Sequence, residues 1–302
     1  MNRNGRRGVV LLAVLWTVAL LATLAMAAAT TFRGFSSIMA IDRDRLQAEG
    51  LLTAGLEVAA GLASSAGDVP LRDVRSTVTL STGVVRLRLE DEGGRIDIGK
   101  APVALLAGLL RSVGAGDADA VAGAIVAWRK SDGQAGLAPA PAAKPTANVS
   151  PAGVTTSAAN PAQAEVADSL FTDAAQLGAV PGMHPQWVAA VAPLITVFGN
   201  PTVNPLTASA AVLATLPGID PARLAAFLDA RSVAADPKQV VASLGAAPTF
   251  LEVKPPQAVR VHLLAALSGG YAAAAEAVFV CLPKDRQPYR VLAWNPLPSP
   301  RP

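Results

Sequence analysis

The feature that most constrains this chain is an uncharged, apolar stretch close to its N-terminus. No charged residue occurs between Gly8 and Arg33. A run of roughly 20 apolar residues is long enough to cross a bilayer as a helix. Three basic residues precede it: Arg3, Arg6 and Arg7. Because such charges hold an N-terminus in the cytoplasm, the sequence predicts a transmembrane helix over residues 9–31, with the rest of the chain on the far side of the membrane.

Three interpretations of this stretch stay open on the residues alone. A cleaved secretory signal has a basic start and a shorter apolar core, and Ala25-Met26-Ala27 fits its small-residue cleavage site. A plain membrane anchor needs only the apolar run. The third is a processed leader, because Arg6-Arg7-Gly8 followed at once by an apolar helix resembles the leader of type IV pilins and pseudopilins. That resemblance implies cleavage by prepilin peptidase between Gly8 and Val9, and N-methylation of the new N-terminus.

The fifth residue after this implied cleavage site is Ala13. Most members of the pilin superfamily carry Glu there, and a carboxylate in hydrocarbon is costly unless it is paired. In the family it is thought to pair with the amino terminus of a neighbouring subunit. The member that characteristically lacks this Glu is the K-type minor pseudopilin of type II secretion. The absence suits a subunit that has no other subunit above it.

Composition and motifs exclude several other functions. The net charge is +3 and the basic residues are scattered, so charge is no argument for nucleic-acid binding. The single cysteine, Cys281, excludes an intrachain disulfide. Two histidines, His184 and His262, and no Cys/His cluster make a zinc site a poor fit. No hydrolase, zinc-protease or phosphate-loop motif is present either.

No cofactor is expected, although calcium remains open because some relatives bind it. Five aspartates could supply hard oxygen ligands: Asp117, Asp119, Asp132, Asp168 and Asp173. None of them has the spacing of an EF-hand loop, and helix caps explain such residues equally well.

Helical and strand-like patterns follow the apolar stretch. Six apolar residues recur near helical spacing and predict a continuing amphipathic helix over residues 32–65: Phe35, Met39, Leu46, Leu52, Leu56 and Leu62. Residues 76–80 and 84–90 then alternate with period two around the turn Ser81-Thr82-Gly83, and residues 95–98 read as a further short strand. Residues 66–100 are therefore predicted to form the first part of a sheet.

Residues 101–250 are predicted to form an inserted helical domain, in which residues 131–163 are a flexible Pro/Ala-rich loop. Within it, Val180-Pro181-Gly182-Met183 is repeated as Leu216-Pro217-Gly218-Ile219, and each copy ends one helical pattern and opens another. The two units resemble helix–hairpin–helix motifs. Nucleic-acid-binding versions have a second glycine where this chain has Asp220, a negative charge, so no nucleic-acid partner is expected.

The chain closes with three strand-like runs, over residues 258–264, 271–282 and 289–294, and residues 251–302 are predicted to be the last part of the sheet and a tail. Strands before and after a helical block imply one sheet with a domain inserted into it. The predicted fold class is α+β. It comprises a long N-terminal transmembrane helix and a pseudopilin-like antiparallel sheet with a large inserted helical domain that contains two helix–hairpin–helix-like units.

Taken in order, these features resemble the K-type minor pseudopilins over almost the whole chain. The segments that carry the resemblance are the Gly8 leader without Glu at position 13, Asp91–Ile98, the two Pro-Gly hairpins and Tyr289–Trp294. The Pro/Ala run at 131–163 replaces a polar segment that is usual in the family, which puts the family's calcium sites in doubt. Pro205 also interrupts the family pattern around Val203 to Ala208.

The resemblance implies a non-enzymatic subunit at the tip of a periplasmic pseudopilus. It would start assembly and support protein export across the outer membrane. Its expected partners are the I- and J-type minor pseudopilins, prepilin peptidase and the inner-membrane secretion machinery. Its expected location is the bacterial inner membrane, in a single pass with the C-terminal domain in the periplasm. Two alternatives are a minor pilin of a type IV pilus and a membrane-anchored periplasmic binding protein that uses the hairpins.

Overall fold

The chain begins with one long helix, α1, which runs without interruption from Gly5 to Ala66. The structure, a computed structural model, describes residues 5–67, 69–130, 171–233, 240–245, 248–282 and 285–298, and only the backbone of residues 5–11, 28–38 and 130. At 1.5 Å per residue, the 62 residues of α1 form a rod about 90 Å long.

The single helix covers both the segment 9–31 and the segment 32–65. Within the described part of the chain, no helix combines the length and the apolar character that crossing a membrane requires. Many side chains of the segment 9–31 lie outside the described set, and the predicted membrane span stays a prediction.

A five-stranded antiparallel sheet packs against the second half of α1. Its strands lie in the order β1-β2-β5-β6-β7. Their bounds are β1 Val74–Leu80, β2 Gly83–Asp91, β5 Ala258–Leu267, β6 Ala272–Cys281 and β7 Tyr289–Leu297. The neighbours β2 and β5 are separated in sequence by the helical block, so the predicted α+β fold, one antiparallel sheet with a helical domain inserted into it, is confirmed.

One core lies between this sheet and α1. Alternate residues of the strands face the helix and are buried, as the period-two pattern requires. α1 contributes Leu52 and Leu56 together with small residues such as Ala48 and Ala59, which let it lie close to the strands. The closest approach is at Gly55, where an added Cβ would lie 2.7 Å from the Val85 Cγ1 atom.

Two residues of the predicted apolar stripe of α1 do not join this core. Met39 and Leu46 are 66% and 68% exposed. The buried part of the helix begins only at Ala48. The sequence periodicity of an apolar helix shows which residues share a face, but not where along the helix its partner begins.

The inserted block has a second core of its own. Its elements, in order, are β3 Ile96–Asp97, α2 Val103–Ser112, α3 Ala118–Lys130, α4 Pro185–Val191, β4 Ile195–Thr196, α5 Ala210–Ala214 and α6 Pro221–Val233. The short strands β3 and β4 pair in parallel. Fully buried Leu, Ile and Phe side chains fill the space between the helices. The loop predicted at 131–163 lies outside the described residues.

The two predicted hairpins share their turn but not their first helix. Gly182 and Gly218 both have positive φ, 83° and 79°, which glycine adopts without strain. Pro185 and Pro221 are the first residues of α4 and α6, where proline fits a helix. Before the first turn, however, residues 174–179 form a 3-10 helix and not the expected α-helix.

The close approach at Gly55 generates a test of the helix–sheet core. Gly55→Leu should lower the free energy of unfolding by about 1–3 kcal/mol, because the larger side chain overpacks the space against β2 and β5. Gly50→Ala is the matched control, since an added Cβ there has no neighbour within 4 Å. It should raise stability through helix propensity. Urea unfolding of the full chain in detergent measures both, and equal effects would contradict this packing.

Candidate assembly surface and buried charge junction

The first part of α1 presents a long apolar surface. Nine large apolar side chains between residues 12 and 26 are more than half exposed: Leu12, Val14, Leu15, Trp16, Val18, Leu20, Leu21, Leu24 and Met26. Nearer to the sheet, Met39, Ile41 and Leu46 are exposed as well. Large exposed apolar surfaces are rare in soluble monomers and mark sites of interaction with proteins or membranes. We call residues 12–26 of α1 the apolar rod.

The three residues predicted to concern leader processing lie in or just before this rod. Gly8 and Val9 are part of the helical backbone of α1, and their side chains lie outside the described residues. Ala13 is exposed on the rod and brings no charge to it. Processing by prepilin peptidase at Gly8 and Val9 stays a prediction.

A buried carboxylate lies where the sheet meets the helical block. Glu92 directly follows β2 and its side chain is fully buried. The Arg260 guanidinium on β5 donates to both of its oxygens, through Nε to Oε1 and through Nη2 to Oε2, the latter over 3.2 Å. The Thr196 hydroxyl on β4 also donates to Glu92. One carboxylate therefore ties together the end of β2, the start of β5 and the helical block.

From Glu92, alternating charges continue across the outer face of the sheet. In one direction the chain of ion pairs runs through Arg95, Glu90, Arg88, Asp73 and Arg75, with N–O distances of 3.7, 2.8, 2.6, 2.6 and 2.8 Å between successive members. In the other direction, Arg260 also pairs with Glu276 on β6, and Glu276 faces His262 at 3.4 Å. Because Arg95, Arg260 and Glu90 are less than one-fifth exposed, the central pairs are shielded from water.

Asp91 forms the second polar tie of the junction. Its carboxylate accepts hydrogen bonds from the Gly93 N–H at 2.9 Å, the Thr207 hydroxyl at 2.8 Å and the Asn204 amide at 3.3 Å. Burial nevertheless raises the pKa of Asp91, because removing a carboxylate from water disfavours its charged form. The loop at 204–207 is thereby held against the end of β2.

Asp97 forms a third buried polar contact, next to the two short parallel strands β3 and β4. Its carboxylate accepts from the backbone N–H groups of Gly99 at 2.7 Å, Lys100 at 3.1 Å and Gly199 at 2.8 Å. Burial raises the pKa of this carboxyl as well. The loops that follow β3 and β4 are therefore joined through one side chain.

Sequence reasoning interpreted residues 95–98 as a short strand, and did not predict that the acidic residues of Asp91–Ile98 are buried. For Asp91 the signal was present, because Val85, Leu87, Leu89 and Asp91 share the buried parity of β2. For Glu92 the local sequence gives no sign of burial, since the partners that donate hydrogen bonds to it, Thr196 and Arg260, are 104 and 168 residues away.

The candidate metal ligands do not come together. Among the described residues, no group of three or more His, Cys, Asp or Glu side chains could hold a metal ion. Asp119 pairs with Arg111 at 2.6 Å, and Asp173 caps the 3-10 helix at 174–179. His184 packs its ring against Trp187. Asp132 and Asp168 lie outside the described residues, so calcium binding stays untested.

The buried ion pair generates a stability prediction. Glu92→Gln should lower the free energy of unfolding by about 3 kcal/mol, because Arg260 would lose its fully buried carboxylate partner in a shielded site, and only Glu276 would remain to balance its charge. Glu49→Gln is the matched control, since Glu49 pairs with Arg45 on an exposed face of α1, where ion pairs contribute little. Urea unfolding should show a large loss for the first variant and almost none for the second. Equal losses would contradict the junction.

The raised pKa of Asp91 predicts a pH dependence. In the unfolded state the Asp91 carboxyl has its ordinary pKa of 3.8. The folded state keeps this carboxyl protonated to a higher pH. The contribution of Asp91 to stability is therefore full below the pKa of the unfolded state and falls as pH rises through the raised pKa. The stability of the wild type relative to Asp91→Asn should decrease as the pH rises from about 4 through the raised pKa of Asp91.

Urea unfolding at a series of pH values measures this difference. The exposed aspartate of α6, changed as Asp229→Asn, is the control for loss of charge at the surface. Parallel pH profiles of the wild type and Asp91→Asn would contradict the prediction.

Comparisons with known proteins agree with this architecture. No protein-family model matches the chain, and no curated protein matches its sequence. Among solved structures, it is similar to a chain in the crystal structure of the GspK–GspI–GspJ complex from the type 2 secretion system of enterotoxigenic Escherichia coli. The two are 16% identical with a TM-score of 0.51, and the match covers 85% of this chain and 100% of the other. The chain therefore has a GspK-like minor pseudopilin fold.

Proposed function

We propose that this chain is a minor pseudopilin of a type II secretion system, and that it is located at the tip of the pseudopilus. The observation that carries the proposal is the division of α1. Its second half is buried against a sheet that a helical block interrupts, while its first half presents the apolar rod to other molecules. The similarity of fold to a chain of the GspK–GspI–GspJ complex supports the same role.

In this proposal, residues 1–8 are removed by prepilin peptidase and the apolar segment at 9–31 lies in the inner membrane, with the domain in the periplasm. The segment then packs against the helices of I- and J-type minor pseudopilins and contacts the inner-membrane secretion machinery. Since Ala13 offers no carboxylate, the subunit makes no charge pair with the amino terminus of a neighbour.

The position of the helical block supports a role at the tip. The block leaves the sheet after Asp91 and returns at Ala258, and these residues lie at the same end of β2 and β5. The Asp91 N–H donates to the Leu71 carbonyl just beyond the end of α1. The block is thus at the end of the sheet farthest from the apolar rod, where its bulk would hinder the addition of a further subunit above.

A charged residue on the rod tests the proposal. Leu15→Asp should abolish pseudopilus assembly and secretion, because an aspartate near the middle of a membrane helix costs about 2.5–3.5 kcal/mol and finds no partner there. Secretion by a strain that depends on this gene, together with mass spectrometry of the mature N-terminus, measures the effect. Wild-type protein should begin at Val9, and only where prepilin peptidase is present.

Val233→Asp is the matched control, since Val233 is an exposed apolar residue of the helical block, at the end of α6. It should leave secretion unchanged. Normal secretion with Leu15→Asp, or a mature protein that begins at Met1, would overturn the proposal.

A further inference from the structure

The two edge strands of the sheet, β1 and β7, differ in whether they are protected against pairing with an additional strand. β7 contains Pro296, which has no N–H, and its pairing with β6 shifts register between Val278 and Phe279. β1 has no proline and pairs with β2 in one unbroken register over all seven of its residues. Prolines and irregular pairing protect sheet edges against added strands. In the part of the chain that the structure describes, the free side of β1 has no paired strand and neither of these protections.

The free side of β1 offers regularly spaced hydrogen-bonding groups. Leu80 and Gly83 flank a two-residue turn and form its hydrogen-bonded pair. Because such pairs alternate along an antiparallel ladder, Arg75, Thr77 and Thr79 direct their N–H and C=O groups away from β2. Three residues thus provide a template for an additional strand.

Arginines line the outer face beside this edge. Arg75 of β1 lies directly opposite Arg88 of β2, and Thr77 lies opposite Arg86. Asp73 is shared by Arg75 and Arg88, at 2.8 and 2.6 Å. Among the described residues, Arg86 has no ion-pair partner, and it is exposed. Like charges opposite each other are unfavourable in a sheet, so this face favours the arrival of further negative charge.

We propose that the β1 edge binds an extended acidic segment of a partner protein, which adds to the sheet as a sixth strand. The side chains of such a strand alternate between the two faces. Those on the outer face would be Asp or Glu at every second position, next to Arg75 on β1 and facing Arg86 across Thr77. Those on the inner face would be apolar, because Val74 and Val78 of β1 are partly buried against the core below α1.

The geometry favours a protein partner over an anionic membrane surface. At the turn before β2, Gly83 lies beside Leu51 of α1, and Arg86 is three residues farther from the apolar rod. In the proposed function the membrane segment ends near residue 31. The 20 residues of α1 between positions 31 and 51 span about 30 Å, and the strand adds about 10 Å. That separation is several times the Debye length of about 8 Å at physiological salt.

The test uses the full chain in detergent and two fluorescent octapeptides, one alternating Glu and Val and the other alternating Gln and Val. Fluorescence anisotropy at physiological salt should show binding of the first peptide and much weaker binding of the second. Arg86→Gln should weaken binding of the acidic peptide about threefold. Arg290→Gln, on the opposite edge strand, is its matched control and should leave binding unchanged.

The backbone contacts are tested separately. Thr77→Pro removes an outward N–H without removing a bond to β2, and should weaken binding about tenfold, whereas Thr77→Ala should bind like the wild type. Circular dichroism verifies that the proline variant is folded. If it is not, the comparison of Arg86→Gln with Arg290→Gln tests the proposal. The proposal is overturned if the wild type binds neither peptide or binds both equally. It is also overturned if lipid nanodiscs rich in phosphatidylglycerol displace the peptide from the wild type but not from Arg86→Gln.

Discussion

The arrangement of this chain depends on a carboxylate that is removed from water where two separate cores meet. Glu92 has no contact with solvent, and its charge is compensated by Arg260 and by the hydroxyl of Thr196. A buried carboxylate without such partners would be strongly unfavourable. Its partners come from the returning strand and from the helical block, so the charge is satisfied only when both have reached their places. The pair therefore selects one position of the block on the sheet.

Each core also has its own packing logic. The sheet and α1 approach closely because the helix presents small residues, with Gly55 at the tightest point. The block instead relies on Leu, Ile and Phe side chains held between short helices. Polar contacts join the two units, through Glu92, Asp91 and their partners. An apolar interface would allow sliding, whereas hydrogen bonds of this kind have directional geometry.

Much of the architecture could be predicted from local patterns. Period-two alternation located β1 and β2, and the Pro-Gly repeats located the two turns with positive φ. The exposure of Leu46 could not be predicted in this way, because it depends on where the sheet begins along α1. The junction was out of reach for a similar reason, since Glu92 and Arg260 are 168 residues apart. The open edge of β1 emerges only once the order of the strands is known.

The uninterrupted helix has a consequence for the orientation of the domain. α1 passes from the apolar rod into the sheet core without a break. The direction in which the rod faces therefore fixes the direction in which the domain faces around the helix axis. Each residue of an α-helix turns it by about 100°, and seven residues bring it back to within about 20°. One residue inserted between the rod and the core would therefore face the whole domain, with its edge strands, in a new direction around the axis. The number of residues between the apolar rod and the sheet core therefore sets the rotation of the domain about the axis of α1.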